Sequence, residues 1–450
     1  MSFISPRWPA DVYLSTGAKA VSACGDFLAA TALSLALQQR GDGGLAVAAV
    51  LVAAAVPPVL LVRWAGRLVD RADSRLLLVG TGLVQAGVCV ALAFAPGVAA
   101  IIALVAVLAA GLAVTGPTLG ALLPAMVGRD DLPRVVALGQ TASALGIMIA
   151  PALGGVLIGH FGLRVPLLAD AASYLAIAVA GRLIRTRRGG RARAPVPPAA
   201  SPQATPSPQA APSSPATPSP GAPVSSQAPA PARVPAPAPP PAQVPAPADG
   251  GWRLREDALL RSAFVLVGAV LGVGSLVNVA EVFFIRQDLH STATAYGLVA
   301  ATWIGSTIIG GQLLGRRRPS DAGLALALVG ALALDCVAVA IMAAAPDVGW
   351  LIPINIVGGL GNGGLNVATS VLLGRRVPAA ARGRAGAAYG AVVNAAAVSG
   401  YLLGGLLLAA VPVRACIAAA GVSGLSLTAA FAVPLLRAAG VSRGGRTARA

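Results

Sequence analysis

The amino-acid sequence predicts an all-α integral membrane protein with twelve transmembrane helices in two six-helix, pseudo-repeat halves. Of its 450 residues, 56% are hydrophobic and only 11% are charged, and the mean hydropathy is +0.78. A water-soluble chain of this size could not carry so much apolar surface, so lipid must solvate it. Crossing the hydrocarbon core takes roughly 20 mostly apolar residues. The chain contains two groups of six such stretches, separated by a long polar segment.

The twelve apolar stretches are bounded by charged residues, proline or glycine. The first group covers residues 15–38, 45–63, 76–94, 98–122, 135–159 and 165–184. The second group covers residues 259–284, 293–314, 322–345, 349–373, 385–410 and 413–436. These stretches predict an N-terminal half over residues 1–184 and a C-terminal half over residues 259–436. A basic cytoplasmic tail is predicted over residues 437–450.

Residues 185–258, between the two halves, are mostly Ala, Pro, Ser and Gln. This composition has too little hydrophobic bulk to form a core, so we predict a disordered cytoplasmic linker with polyproline II character. The two halves show weak similarity, because a shift of 250 positions aligns Gly154 with Gly404 and Gly155 with Gly405. Two similar halves joined by a linker are typical of parallel-repeat transporters, which hold their substrate near the midplane of the membrane.

The basic residues predict the orientation of the chain in the membrane. A net charge of +17 would suggest nucleic-acid binding in a soluble protein, but here the arginines lie between apolar stretches and form no single basic face. Short cytoplasmic loops carry the excess of Lys and Arg in membrane proteins. Placing both termini in the cytoplasm leaves only four of the 33 Lys and Arg outside, namely Arg40, Arg164, Arg286 and Arg414. We therefore predict a multi-pass protein of the plasma membrane with cytoplasmic termini and no nucleic-acid partner.

Several other functional classes lack the residues that they need. A P-loop ATPase requires a lysine followed by Ser or Thr, whereas the only lysine, Lys19, precedes Ala20. The two histidines, His160 and His290, are far apart, and the four cysteines show no C-x-x-C spacing. We therefore predict no enzyme activity, no metal and no other cofactor. A membrane sensor or scaffold that transports nothing remains an alternative, because a fold does not fix a function.

The connection after the second apolar stretch carries the most specific motif in the chain. Its residues 66–75, GRLVDRADSR, resemble the G-x-L-x-D-R-x-x-x-R loop of the major facilitator superfamily. Gly66 allows close approach at a helix end, and Asp70 can lie at the positive N-terminus of a neighbouring helix. Arg71 and Arg75 can meet a carboxylate or a lipid phosphate. We predict a cytoplasmic clasp that breaks and re-forms during transport; the alternative is an ordinary basic loop.

The fifth apolar stretch contains a second motif. Residues 146–155, GIMIAPALGG, resemble the G-x-x-x-G-P-x-x-G-G motif of antiporters in the same superfamily, with alanine in place of the middle glycine. Gly146, Gly154 and Gly155 allow helices to pack closely, and Pro151 removes one backbone hydrogen bond. We therefore predict a bend against the opposite half. Generic packing of small residues in a glycine-rich membrane protein is the alternative.

The resemblance covers the chain outside the linker and is nearest to the macrolide-efflux and siderophore (enterobactin) exporter branch. It implies the major facilitator fold and a monomeric secondary active transporter. The implied activity is proton-coupled efflux of a small amphipathic solute, such as a drug, a macrolide-like natural product or a siderophore, by alternating access. Two departures are the absence of an arginine in the fourth stretch and a second-half loop that keeps only Gly315-Arg316-Arg317-Arg318. Import and uniport by the same fold remain alternatives.

Ionisable residues at membrane depth are costly and are therefore functional candidates. Asp26 lies near the middle of the first stretch, and Lys19 lies seven residues earlier on nearly the same helical face. We predict that Asp26 binds a proton or a cationic substrate, with a structural ion pair to Lys19 as the alternative. Glu281 in the seventh stretch is the second coupling candidate. For Asp170 and Asp335, in stretches that the resemblance makes peripheral, a structural role is favoured.

Polar residues in three later stretches predict the lining of a substrate cavity. In the tenth stretch they lie at i, i+7 and i+11, which places them on one helical face, and the same seven-residue spacing recurs in the eleventh. Hydrogen bonding between helices would also account for such stripes. The cavity candidates are Asn278, Asn355, Asn362, Asn366, Asn394 and Tyr401.

Overall fold

The computed structural model describes residues 8–127, 131–186, 253–317, 319–378 and 381–440. Helices α1 to α6 form the first half: Ala10–Arg40, Gly43–Arg71, Ser74–Ala93, Val98–Met126, Leu132–Phe161 and Arg164–Leu183. Helices α7 to α13 form the second half: Ala258–Gly274, Val277–Phe283, Ala293–Arg316, Asp321–Met342, Leu351–Arg376, Arg382–Leu407 and Val413–Ala438. A π-helical turn, Phe284–Asp288, follows α8, and a 3-10 turn, Val348–Trp350, precedes α11.

The described residues contain twelve spans that are long and apolar enough to cross a membrane, which confirms the predicted fold class. Several helices are longer than the predicted apolar stretches because polar residues continue them, as at both ends of α1 (Ala10–Arg40). The seventh span is the one that differs from a single predicted helix. It runs from Ala258 to Asp288 but is interrupted after Gly274, between α7 and α8. Glycine and serine at this point favour the helical conformation weakly.

Local hydrogen bonds fix several helix ends. The Asp73 carboxylate accepts the backbone N–H of Arg75 at 2.7 Å and caps α3. The Asp257 carboxylate accepts the N–H of Leu260 at 3.0 Å and caps α7. Such side-chain oxygens satisfy N–H groups that have no partner within the helix. At the other end of α1, Gly41 takes a left-handed φ of 77°, which glycine adopts without steric cost and which ends the helix.

The two halves use the same helix pairings. In the first half α1 packs against α5 and α6, α3 packs against α4 and α6, and α2 packs against α4. In the second half α7 packs against α12 and α13, α10 packs against α11 and α13, and α9 packs against α11. Each pairing of one half therefore has its counterpart in the other, which confirms the pseudo-repeat.

Glycines bring the helices of each half into close contact. A Cβ built on Gly82 of α3 would lie 2.9 Å from the carbonyl oxygen of Tyr174 in α6. In the second half, a Cβ on Gly361 of α11 would lie 2.7 Å from the carbonyl oxygen of Ala331 in α10. Lipid provides no hydrophobic driving force between helices, so their association depends on such close packing.

Charged residues tie helix ends together in the second half. The Arg376 side chain at the end of α11 pairs with Asp257 at 2.7 Å and with Asp321 at 3.1 Å. These carboxylates lie at the starts of α7 and α10, so one guanidinium joins three helices. At the opposite end Arg414 pairs with Asp288 at 3.2 Å.

Most of the predicted linker and tail lies outside the described residues, which omit 187–252 and 441–450. The first two residues of the predicted linker are described, and both contact α1. The backbone N–H groups of Arg185 and Thr186 donate to the Asp11 carboxylate at 3.1 and 2.9 Å. The end of α6 is thereby attached to the start of α1.

Candidate substrate site

A cavity of about 440 Å³ lies between the two halves. The first half contributes residues of α1, α2 and α5, and the second half contributes residues of α7, α8, α9, α10, α11 and α12. This volume lies within the usual range for small-molecule sites, about 300–1,000 Å³. A cavity between two similar halves is where a parallel-repeat transporter is expected to hold its substrate.

Two carboxylates line the cavity. Glu281 of α8 does so together with Asn278, which lies one turn earlier. Asp335 of α10 also lines it, although sequence reasoning favoured a peripheral, structural role for this residue. The reason is the glycine-rich face of α11. Because Gly361 lets the α10 backbone approach so closely, the Asp335 side chain can reach the space between α7 and α11.

Four of the six predicted cavity residues line the cavity: Asn278, Asn355, Asn362 and Tyr401. The Asn355 side chain is buried and donates to the carbonyl oxygen of Val299 at 3.3 Å, so both functions that the sequence left open, lining and interhelical bonding, apply to it. It also interacts with the Glu281 carboxylate.

The other two predicted cavity residues are not among those that line it. Asn366 is exposed, and its amide donates to the Asn362 side chain at 3.1 Å, one turn away on α11. The Asn394 amide donates to the carbonyl oxygen of Gly390 in its own helix at 3.2 Å. A seven-residue spacing places residues on one face of a helix but does not show how deep in the membrane the cavity extends along that face.

Aromatic side chains form the part of the lining that sequence reasoning missed. Phe27 of α1 and Tyr296 and Trp303 of α9 line the cavity together with Tyr401. Tyr296 and Glu281 line the same cavity. The eighth span carries both Tyr296 and Trp303, seven residues apart, and this spacing was the available signal.

Asp26 does not line this cavity, although α1 contributes Phe27, Ala30, Thr31 and Ser34. Its carboxylate points into the first half, where the Tyr174 hydroxyl of α6 donates a hydrogen bond to it. Asp26 precedes Phe27 by one position, and successive side chains of a helix are rotated by about 100°, so the two side chains face different neighbours. In this conformation Asp26 is therefore not placed to meet a substrate in this cavity, and its proton-binding role stays a prediction.

Lys19 and Asp26 are not paired in this conformation. Lys19 lines a separate cavity of about 50 Å³ with residues of α4 and α5, and it forms no ion pair with a described residue. The predicted pair requires both side chains to turn towards each other along α1. Here α6 supplies the partner of Asp26 instead.

Asp170 belongs to the same polar group as Asp26 and is fully buried between α1, α3 and α6. The Ser173 hydroxyl donates to its Oδ1 at 3.0 Å, and the Cys89 thiol donates to its Oδ2 at 3.3 Å. Gly25 makes this possible, because a Cβ there would overlap Asp170. We call Asp26, Asp170 and Tyr174 the first-half carboxylate group. Its existence depends on α6 facing α1, which the sequence does not reveal.

The antiporter-like motif lies where the two halves touch. Gly155 of α5 contacts Ala293 of α9, and a Cβ on Gly297 would overlap the carbonyl oxygen of Pro151. Gly146 and Gly154 pack instead against α1, where their nearest atoms belong to Ala20 and Leu28. Helix α5 continues through Pro151 from Leu132 to Phe161. The motif thus packs within its own half and also contacts the other half, while the bend at Pro151 stays a prediction.

A second crossing of the halves joins α2 and α12. A Cβ on Gly405 would lie 2.7 Å from the Ala48 Cβ, and a Cβ on Gly44 would lie 2.9 Å from Leu408. Gly405 is also the counterpart of Gly155 in the sequence repeat. Both crossings lie at the end of the bundle where α1, α5 and α12 finish, and we call it the closed end.

The loop that follows α2 lies at the opposite end of the bundle. The side chains of Asp70 and Arg71 are exposed and form no hydrogen bond or ion pair with another residue that the structure describes. Gly66 has no atom within 4 Å of a Cβ built on it, and Arg75 lies in the first turn of α3. The predicted clasp is therefore not formed by Asp70 or Arg71 with these residues in this conformation.

We predict that Asp70→Asn slows transport without destabilising the fold. An exposed residue without partners contributes little, so unfolding free energy should change by less than about 0.5 kcal/mol. If Asp70 stabilises a second conformation through a helix N-terminus, its loss costs that conformation about 0.3–1 kcal/mol and slows turnover a few-fold. Turnover in proteoliposomes and thermal unfolding measure the two effects. Asp131→Asn, a surface carboxylate paired with Arg134 at 3.4 Å, is the control. Unaltered turnover of Asp70→Asn would contradict the clasp.

The described residues form twelve helical spans long and apolar enough to cross a membrane, in two similar halves around a polar-lined cavity, which is the architecture of a membrane transporter for small molecules. The chain belongs to the Major Facilitator Superfamily, because residues 16–334 and 262–448 match the family of that description. No curated protein sequence matches this chain.

Three solved transporter structures are similar to this chain over nearly its whole length. The nucleoside transporter NupG is 13% identical, with a TM-score of 0.66 over 95% of this chain and 99% of its own. The peptide transporter POT in complex with sulfate is 13% identical, with a TM-score of 0.65 over 98% and 96%. A bacterial homologue of the iron transporter ferroportin, in an inward-facing state, is 14% identical, with a TM-score of 0.65 over 98% and 100%. At these identities the likeness establishes the fold alone.

Proposed function

We propose that the chain is a monomeric secondary active transporter of the plasma membrane that exports a small amphipathic solute by proton-coupled alternating access. The observation that carries this proposal is the cavity between the halves, which combines carboxylates and amides with aromatic and aliphatic side chains. An amphipathic drug, a macrolide-like natural product or a siderophore presents the same combination of surfaces.

Alternating access requires the halves to close at one end of the cavity at a time. At the closed end, glycines of α5 and α9, and of α2 and α12, bring backbones together across the halves. At the other end Asp70 and Arg71 are exposed. With cytoplasmic termini, as the distribution of arginine favours, the closed end faces outward, and the cavity is in the state that loads a solute from the cytoplasm. This state suits export.

Proton coupling requires a group that takes up and releases a proton during the cycle. The first-half carboxylate group places Asp26 and Asp170 within the membrane-spanning bundle, close to the contact between α1 and α6. Intramembrane carboxylates are costly and commonly serve as proton relays. Because α1 also lines the substrate cavity, a change at Asp26 can alter the position of Phe27 and its neighbours.

The proposal is tested by intracellular accumulation of amphipathic compounds in cells with and without the protein. We expect lower accumulation in expressing cells, and we expect the difference to disappear when an ionophore collapses the proton gradient. Higher accumulation in expressing cells would instead indicate import. Reconstituted protein that gives no flux of any compound under an imposed gradient would contradict transport and favour a sensor or scaffold.

A further inference from the structure

The cavity contains two carboxyl groups and no basic group to match them. Glu281 and Asp335 both line it, and no Lys, Arg or His of the described residues does so. Neither carboxylate forms an ion pair with a described residue. The arginine nearest to Glu281 along the chain is Arg286, and its guanidinium donates to the carbonyl oxygen of Ser291. Since unpaired charges at membrane depth are costly, the cavity favours a ligand that brings positive charge.

Asp335 provides the second observation. Its Oδ1 is buried and has no hydrogen-bond partner among the described residues, although buried polar atoms nearly always have one. The neighbouring α10 side chains that line the cavity, Ala338, Val339 and Met342, offer only apolar surface. The protein therefore leaves this carboxylate to be balanced by whatever occupies the cavity.

The rest of the lining distinguishes an organic cation from a metal ion. Phe27, Tyr296, Trp303 and Tyr401 supply aromatic rings, whose faces attract cations that carry little bound water. A divalent metal ion instead requires several oxygen, nitrogen or sulfur ligands. The described residues contain no group of three or more His, Cys, Asp and Glu that could hold one.

We propose that the substrate is an organic cation with aromatic or aliphatic substituents, whose charge is balanced by Glu281 and Asp335. The inference rests on the proposed function, because it names the substrate class of the same cavity. The cavity volume of about 440 Å³ limits the substrate to a drug-sized molecule. Glu281 holds the cation from the α8 side of the cavity and Asp335 from the α10 side.

Two ions of the same shape and opposite charge test this assignment. Tetraphenylphosphonium and tetraphenylborate differ in charge, so calorimetric titration of the purified full chain with each separates charge from hydrophobic binding. We expect tetraphenylphosphonium to bind and tetraphenylborate not to bind above the background of empty micelles. Glu281→Gln and Asp335→Asn should each weaken binding of the cation about tenfold. This factor is near the lower end of the coupling energies that close charge pairs show. The double variant should lose measurable binding, and Asp131→Asn should bind as the unmodified chain does.

The proposal would be overturned by equal binding of the two ions, by undiminished cation binding of the double variant, or by no binding of either tetraphenylphosphonium or the smaller tetrabutylammonium. Displacement of the bound cation by micromolar Mn²⁺ would do so as well, because it would indicate a metal site. Thermal unfolding of each variant shows that it is folded. Binding does not require transport, so a chain that binds the cation but gives no flux would overturn the proposed function and leave this assignment intact. Flux of neutral solutes without cation binding would leave the proposed transport intact and overturn this assignment.

Discussion

Gly297→Val is expected to abolish most transport while both halves stay folded. A Cβ at this position overlaps the carbonyl oxygen of Pro151, which is part of a helix backbone and cannot turn away. Overpacking of this kind typically costs about 1–3 kcal/mol. Because the cost falls on the closed end alone, it lowers the population of this conformation relative to the opposite one about 5- to 150-fold. Transport, which needs both conformations, should fall accordingly in reconstituted vesicles.

Gly159→Ala is the matched control for this prediction. Gly159 lies one turn from Gly155 on the same face of α5, but the nearest atom to its Cβ position is the Thr294 Oγ1 at 3.7 Å, an ordinary contact. This variant should transport at the normal rate.

A membrane-impermeant thiol reagent applied from outside should label Tyr401→Cys faster when Gly297→Val is also present. Normal transport by well-expressed Gly297→Val would show that the crossing of α5 and α9 need not close.

Asp26→Asn is expected to abolish uphill transport and its dependence on external pH, while substrate binding and downhill flux remain. An amide cannot take up and release a proton, but its oxygen can still accept the hydrogen bond from the Tyr174 hydroxyl. The local packing should therefore survive. Accumulation against a gradient in proteoliposomes, measured over a range of external pH, gives the result. Loss of substrate binding together with transport would indicate a structural role for Asp26.

Glu281→Gln is the alternative coupling variant, because Glu281 is the second candidate and lies in the cavity itself. If both single variants still pump against a gradient with unaltered pH dependence, proton coupling through these carboxylates is wrong. Facilitated diffusion or coupling to another ion would then be favoured. Lys19→Gln addresses the predicted pair separately. If it reproduces the Asp26→Asn result, Lys19 and Asp26 meet in a conformation other than this one, in which they are apart.

The sequence by itself determined the number of spans, their division into two similar halves and the family. Membrane thickness fixes the length of an apolar helix, so counting such stretches gives the topology without knowledge of any contact. The loop at residues 66–75 was specific enough to indicate the family. The close contacts of Gly154 and Gly155 were also predictable, because small residues in membrane helices mark places where backbones approach.

The tertiary structure alone decided which polar residues share a site. A helix that is apolar on nearly all sides gives no hydropathy signal for its rotation about its own axis, so a single charged residue can face any neighbour. Asp26 therefore meets Tyr174 of α6 and not the cavity, while Asp335, in a helix expected to be peripheral, reaches the cavity. Gly25 of α1 and Gly361 of α11 allow the close helix contacts in which these side chains lie. They depend on which helices pack together, and that is a property of the folded bundle.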